Sequence, residues 1–304
     1  MTTDLKIAVI LTTYNRCTLL GRAIESVLKQ TRPADEIIVI DDGSTDGTPE
    51  LIAEKFPRIL YTWQENKGIS AARNAGIEKS SSDWVAFLDS DDTWLPRKLE
   101  YQQKALIQHP EFLICHSDEI WIRHGKRVNP MKKHQKYGGY IFEKCLPRCV
   151  ISPSAVVLHR SLFERFGKFD THFPVCEDYD LWLRLCAFLP VLYLGTPLIT
   201  KYGGHADQLS RSTWGLDRFR IQALEKIITN PELTSVQKLA VLEMLIDKLK
   251  IYLQGAEKRG KSVDVEMVRK KYADYQQQLV NKMDQKAFHQ DLRRRSHGET
   301  LRKD

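Results

Sequence analysis

Four short apolar runs, KIAVILTT, EIIVIDD, RILYTW and WVAFLD, open the chain, and a helical pattern separates each from the next. Strand–helix alternation of this kind has few solutions: the strands run parallel in one sheet and the helices cover its faces. NRCTLLGRAIESVLKQ places Leu20, Ile24, Val27 and Leu28 at helical spacing, with Asn15 or Thr18 as the cap. GTPELIAEKF predicts a short helix entered through Thr48 and Pro49, and ISAARNAGIEKS a third. The expectation is an α/β sheet whose strands present ligand-binding residues at their C-terminal ends.

Further on, EFLICHSDEIWI, PSAVVLH, PVLYLG and LITKYGG read as strands and YDLWLRLCAF as a helix. From about Leu216 the strand patterns cease, and segments such as VQKLAVLEMLIDKLKIYL are helical. A boundary near residue 212 divides the chain into a catalytic-type α/β domain, 1–212, and a helical region, 213–304. No internal repeat or low-complexity linker is present.

With 42% hydrophobic and 28% charged residues among 304, the chain reads as a soluble globular protein. No apolar run approaches the ~20 residues of a membrane span. The start, MTTDLKIAVILTTYNR, lacks the basic region of a signal peptide, so a cytoplasmic protein is expected. Six scattered cysteines with no CxxC pair read as reduced thiols rather than a zinc site. The net charge of +7 suits polyanionic partners without selecting one.

The stretch AFLDSDDTW ends an apolar run in Asp89, Asp91 and Asp92. Carboxylates this close repel, so something must compensate them. In an extended segment Asp89 and Asp91 share a face and Ser90 takes the other. That pair suits Mg²⁺ or Mn²⁺ and leaves room for substrate phosphates. Capping of the helix near Pro96 accounts for Asp92 or Thr93 but not for the other two. IIVIDDGSTDGT sets Asp41 and Asp42 at another strand end, either as an ordinary turn or as acceptors for a ribose or base. Within NKGISAARNAG, Arg73 stands among small residues, placed for a phosphate or for a surface salt bridge.

Taken in order, VILTTYNR, VIDDGSTD, GISAARNAGI, FLDSDD and EDYDLWLRL resemble glycosyltransferase family 2 over roughly residues 6 to 210. The resemblance implies a GT-A fold, a nucleotide-diphosphate sugar donor (UDP- or dTDP-linked), a divalent Mn²⁺ or Mg²⁺, and inversion at the anomeric carbon. It puts Thr12, Tyr14 and Arg16 beside the nucleoside and makes Asp41 and Asp42 the base- and ribose-binding acids. It sets Arg73 near the diphosphate, Ser90 among the donor contacts, and Asp89 with Asp91 as the metal-binding DxD. The ED of CEDYDLWLRL resembles the family's base motif, with Asp178 ahead of Glu177. His205 in YGGHADQLS resembles a family histidine that reaches the metal or diphosphate.

Helix physics gives the acids a second reading, since Glu177, Asp178 and Asp180 also suit a helix N-terminus. A rival nucleotide motif, GAEKRGKS at 255–262, matches a phosphate-binding loop by letter. A helical pattern rather than a strand precedes it, and Gly255 reads as a helix stop. The basic end, Arg293 to Arg295 with Arg302 and Lys303, is either solvated or in peripheral contact with an anionic membrane carrying a lipid-linked saccharide acceptor. No nucleic-acid module is present, and the oligomeric state is not written in the sequence.

Overall fold

The computed structural model describes residues 4–204, 215–260 and 265–282. The chain forms two compact units, Met1–Leu216 and Asp217–Asp304, and the expected boundary at 212 lies outside the described residues.

The first unit is built on one mixed sheet. The predicted parallel part is present: β1 (Ile7–Thr13), β2 (Glu36–Asp41), β3 (Leu60–Trp63) and β4 (Trp84–Asp89) are ordered β3-β2-β1-β4. β1 is buried at every position because both faces are covered. Ile7, Val9 and Leu11 join the larger core with Leu20, Ala23 and Ile24 of α1 (Cys17–Leu28), while Ile38, Ile40 and Ala72 form a second cluster. α3 (Ile69–Lys79) approaches β1 closely at Gly76, where an added Cβ would fall 2.3 Å from Ile10 Cγ2.

Beyond β4 the sheet continues with strand reversals that period alone does not forecast. β8 (Val156–His159) runs antiparallel to both β4 and β6 (Ile114–Arg123). PVLYLG and LITKYGG form a single strand, β9 (Leu192–Gly203), parallel to β6 through two register shifts, and the short β5 (Thr93–Trp94) pairs with it. β7 (Lys126–Val128) folds back on β6 as a hairpin. The helix expected near Pro96 is α4 (Lys98–Gln108), and α7 (Glu177–Cys186) opens on the acidic motif.

Helix entrances depart from the expected caps. Arg16 rather than Asn15 or Thr18 precedes α1, because Asn15 takes a positive φ of 50° and accepts the Thr45 amide instead. Gly47 precedes α2 (Thr48–Lys55), and Asp46 receives the Thr48 amide. Asp92 caps nothing: it accepts the Ser154 hydroxyl at 2.7 Å and the Tyr202 amide at 3.1 Å.

The second unit is helical, with helices at Leu216–Ile228, Ser235–Lys258 and residues 265–282. Thr234 and Gln237 form a reciprocal capping box at the second of them. That helix runs through Gly255, so the expected stop fails, and the positive-φ turn glycine is Gly260. Residues 255–258 are thus helical and follow a helix, which removes the strand-loop geometry a phosphate-binding loop needs. Lys261, Ser262 and the basic end from Arg293 lie outside the described residues. Among the described residues no helix is long and apolar enough to cross a membrane.

Candidate active site

Strand register assembles the site. Thr13 pairs with Asp41 on one side of β1, and Thr12 with Asp89 on the other. Three parallel strands therefore release their C-terminal residues at one edge, the place where open α/β sheets bind ligands. Thr12 and Thr13 are buried there, Tyr14 is 50% exposed, and the Thr13 hydroxyl has no hydrogen-bond partner.

Asp41 and Asp42 both turn inward. Asp41 is fully buried and accepts the Ser44 amide at 2.8 Å and the Tyr61 hydroxyl at 2.7 Å. Asp42 accepts from the Gln64 side chain and from the amides of Lys67 and Gly68. Together they tie the β2 loop to the entrance of α3. Gly43 sits in that loop at φ 88°, where a Cβ would press on the Asn66 amide at 2.8 Å.

The DxD segment is a turn rather than the expected extended run, closed by the Asp92 amide donating to Asp89 O at 3.0 Å. Ser90 and Asp92 are buried within it. The repulsion is met by cations of the chain itself. Arg16 holds Asp91 at 2.8 Å and Arg73 holds Asp89 at 2.8 Å. Burial opposes charge on Asp89, yet Arg73 outweighs it and keeps that carboxyl below its usual range. Burial and then the neighbouring Asp89 push Asp91 up against the pull of Arg16, and burial lifts Asp92 to about 8.

Arg73 is not a surface residue. It is 3% exposed, and its second nitrogen donates to Glu177 at 2.5 Å. One guanidinium therefore joins the β4 acids to the head of α7. Its Nε is buried without a partner. Burial raises the Glu177 carboxyl to about 7 in spite of Arg73, with Asp178 adding to the rise. The residue before α7, Cys176, supplies no side-chain cap bond and takes a left-handed φ of 64°.

Asp178 is more open than Glu177. Its Oδ1 accepts the Tyr179 amide at 2.7 Å, and its Oδ2 accepts the thiol of Cys149 at 2.9 Å. Burial, followed by the charge of Asp178, keeps that thiol protonated well above its usual range. Cys149 carried no sequence signal, since 29 residues separate it from its partner. Behind it Lys201 and Lys136 surround Glu119: Lys136 binds that carboxylate at 3.1 Å, and Ser152 donates to it at 2.6 Å. His205 lies outside the described residues.

The comparisons with known proteins bear on this arrangement. The sequence profile of Glycosyl transferase family 2 matches residues 8–167, more than half the chain. The chain belongs to glycosyltransferase family 2. An uncharacterised glycosyltransferase of Rickettsia bellii is 37% identical over 185 residues, 60% of this chain and 26% of that protein. The Escherichia coli UDP-Glc:alpha-D-GlcNAc-diphosphoundecaprenol beta-1,3-glucosyltransferase WfgD is 35% identical over 189 residues, 60% of this chain and 70% of that one. The chain spans only 26%, 31% and 30% of the length of three Rickettsia relatives.

Among solved structures, Staphylococcus aureus TarS in complex with UDP-GlcNAc aligns with TM-score 0.67 and 18% identity over 92% of each chain. The mannosyltransferase PcManGT of Pyrobaculum calidifontis, in complex with GDP-Man and Mn²⁺, aligns with TM-score 0.56 and 19% identity over 93% and 85%. The family 2 chain has the GT-A fold.

Proposed function

We propose that the enzyme is a metal-dependent, inverting glycosyltransferase that moves a sugar from a UDP- or dTDP-sugar to a hydroxyl of a saccharide or lipid-linked saccharide. The observation that carries this reading is the Arg73 bridge, which fixes the acidic end of β4 against the acidic start of α7. Sugar transfer needs a seat for a diphosphate and, beside it, a base for an acceptor hydroxyl. In this reading the acidic end of β4 seats the diphosphate and the acidic start of α7 supplies the base. The Escherichia coli relative's name gives a UDP-Glc donor and a diphosphoundecaprenol-linked acceptor, and the two structural neighbours hold nucleotide sugars.

The donor set fits a hard divalent cation. Among the described residues no group of three His, Cys, Asp or Glu side chains is arranged around a metal. Asp89 and Asp91, each paired with an arginine, offer two carboxylates, the number that leaves positions for phosphate and water. These two would hold Mn²⁺ or Mg²⁺, with His205 a third candidate. The ion would neutralise charge that develops on the leaving diphosphate.

The remaining roles fall to the chain. Thr12, Tyr14 and Arg16, with Ser90 and the loop shaped by Asp41 and Asp42, receive the nucleoside diphosphate. Arg73 keeps Asp89 aimed and adds positive charge near the diphosphate. Asp178 takes the acceptor's O–H proton as that oxygen bonds to the anomeric carbon and the bond to the diphosphate breaks. Attack from the face opposite the leaving group inverts the centre. Glu177, engaged by Arg73 and the less open of the two, is the alternative base.

Thermal shifts with UDP, dTDP, GDP and ATP, each with Mn²⁺, Mg²⁺ or EDTA, test the reading, because specific binding adds stability as RT ln(1 + [L]/Kd). The expected result is a metal-dependent shift with one pyrimidine diphosphate that is lost in Asp91→Ala. A shift confined to ATP, or one indifferent to EDTA, would refute it.

A further inference from the structure

The segment from Trp121 to Arg148 holds eight Lys and Arg residues and a single acid, Glu143. Its net charge of seven equals the +7 of the entire chain. By contrast, residues 283–304 carry six Lys and Arg against four acids. The basic character of the molecule is therefore concentrated in one stretch of the α/β unit.

Structure makes the stretch a surface. Arg123, Lys126, Arg127, Lys132, Lys133 and Lys144 are all exposed, and none forms an ion pair with a carboxylate among the described residues. The parts are contiguous. β7 pairs with β6 through Arg123 and Lys126, and His134 in the turn Lys132–His134 packs on the Trp121 ring at 4.7 Å. Lys144 lies over the Tyr137 ring at 5.5 Å. Burial and then the charges of Lys133 and Arg148 hold His134 below its usual pKa. Two apolar side chains stand out among the cations: Met131 is 57% exposed and Tyr140 is 79% exposed.

We propose that this face, residues 121–148, docks on an anionic lipid bilayer. Cations facing anionic headgroups, together with an exposed Met and an amphipathic Tyr that can enter the interface, describe a peripheral membrane contact. The same cations would attract any polyanion, and Tyr140 can stack on a base, but exposed Met131 gains only from an apolar phase. Position adds a reason. The segment ends at Cys149, 2.9 Å from Asp178, and Lys136 is anchored to Val150 O at 2.7 Å. Docking here sets the bilayer beside the base, so that a lipid-linked hydroxyl approaches Asp178 without leaving the membrane. This part of the argument rests on the proposed function above.

Co-sedimentation of the full chain with vesicles of phosphatidylglycerol and phosphatidylcholine, and of phosphatidylcholine alone, tests the proposal. Binding is expected to the anionic vesicles only and to weaken with salt. Replacing Lys126, Arg127, Lys132 and Lys133 with Gln lowers the partition coefficient on the order of 100- to 1000-fold, at roughly fivefold per cation. Met131→Ser with Tyr140→Ser weakens it further, whereas Arg293, Arg294 and Arg295→Gln changes it only about fivefold or less. Absence of binding, binding lost only in the Arg293–Arg295 variant, or equal capture of an RNA homopolymer overturns the proposal. Donor hydrolysis measured without vesicles is expected to be equal in the wild type and the four-site variant. Loss of donor turnover with vesicle binding intact would strike the proposed function and leave the docking face standing.

Discussion

Arg73 donates through Nη2 to Asp89 at 2.8 Å and through Nη1 to Glu177 at 2.5 Å, so one buried side chain spans two acids 88 residues apart in sequence. Arg73→Ala leaves the buried Glu177 and the partly buried Asp89 without their cation, a loss of about 3–5 kcal/mol. Arg73→Lys restores the charge but not the fork, and is expected to fall between the two. Urea denaturation checks the order; equal midpoints for all three proteins would remove the bridge from the account.

Cys149 donates to the proposed base. Cys149→Ala removes a hydrogen bond to a charged group, worth about 1.5–3 kcal/mol where it matters, and is expected to lower kcat roughly tenfold or more. Cys149→Ser keeps a donor and is expected to retain most of the rate. Steady-state kinetics separate the outcomes, and an Ala variant as fast as the wild type would mean that Asp178 needs no such partner.

Lys98, the first residue of α4, is fully buried, with its ammonium 3.9 Å over the Trp94 ring and no hydrogen-bond partner. Burial lowers its pKa to about 7. The unfolded chain keeps the proton up to about pH 10.4, so between these values the unfolded state binds more protons and stability rises with pH. The slope from this group is about 1.4 kcal/mol per pH unit. Lys98→Met is expected to stabilise the protein at pH 7 by about 2–4 kcal/mol and to flatten that slope. Urea midpoints at pH 7 and pH 9 test both parts, and an unchanged slope would refute the assignment.

Gly76 permits the contact between α3 and β1. In Gly76→Ala the new methyl would overlap Ile10 at 2.3 Å, so α3 must shift or Ile10 must leave its rotamer. Overpacking of this kind costs about 1–3 kcal/mol, although Ala favours a helix over Gly by about 1 kcal/mol. A lower Tm is expected, and in an Ile10→Ala background, which lacks Cγ2, the penalty of Gly76→Ala should shrink.

Much of this was legible in sequence because it is local. The β1 to β4 runs are set by apolar periodicity, and the strand-end positions of Asp41, Asp42 and Asp89 follow from where those runs stop. What escaped depends on chain reversals. β8 runs against β4 although its composition resembles that of a parallel strand, and β9 joins two runs across Gly195 and Pro197. Asp92 suits a helix cap by type, but Ser154 and the Tyr202 amide, distant in sequence, claim it. The compensation of the acids was expected from a metal alone; the structure adds Arg16 and Arg73, whose partners lie 75 and 16 residues away. Cys149 reads as a plain thiol until α7 is brought beside it.

The register of β4 on β1, with Thr12 opposite Asp89, has a consequence for how the protein fails. Successive side chains on a strand alternate between faces, so a slip of one position would turn Asp89 toward the opposite layer and put Leu88 or Ser90 in its place. Such a chain could bury much the same oil and remain compact. It would lose the grip of Arg73, and with it the alignment of two distant acids. Backbone pairing alone thus decides whether the two acids face one guanidinium, and a copy threaded one residue out would be compact yet lack that bridge.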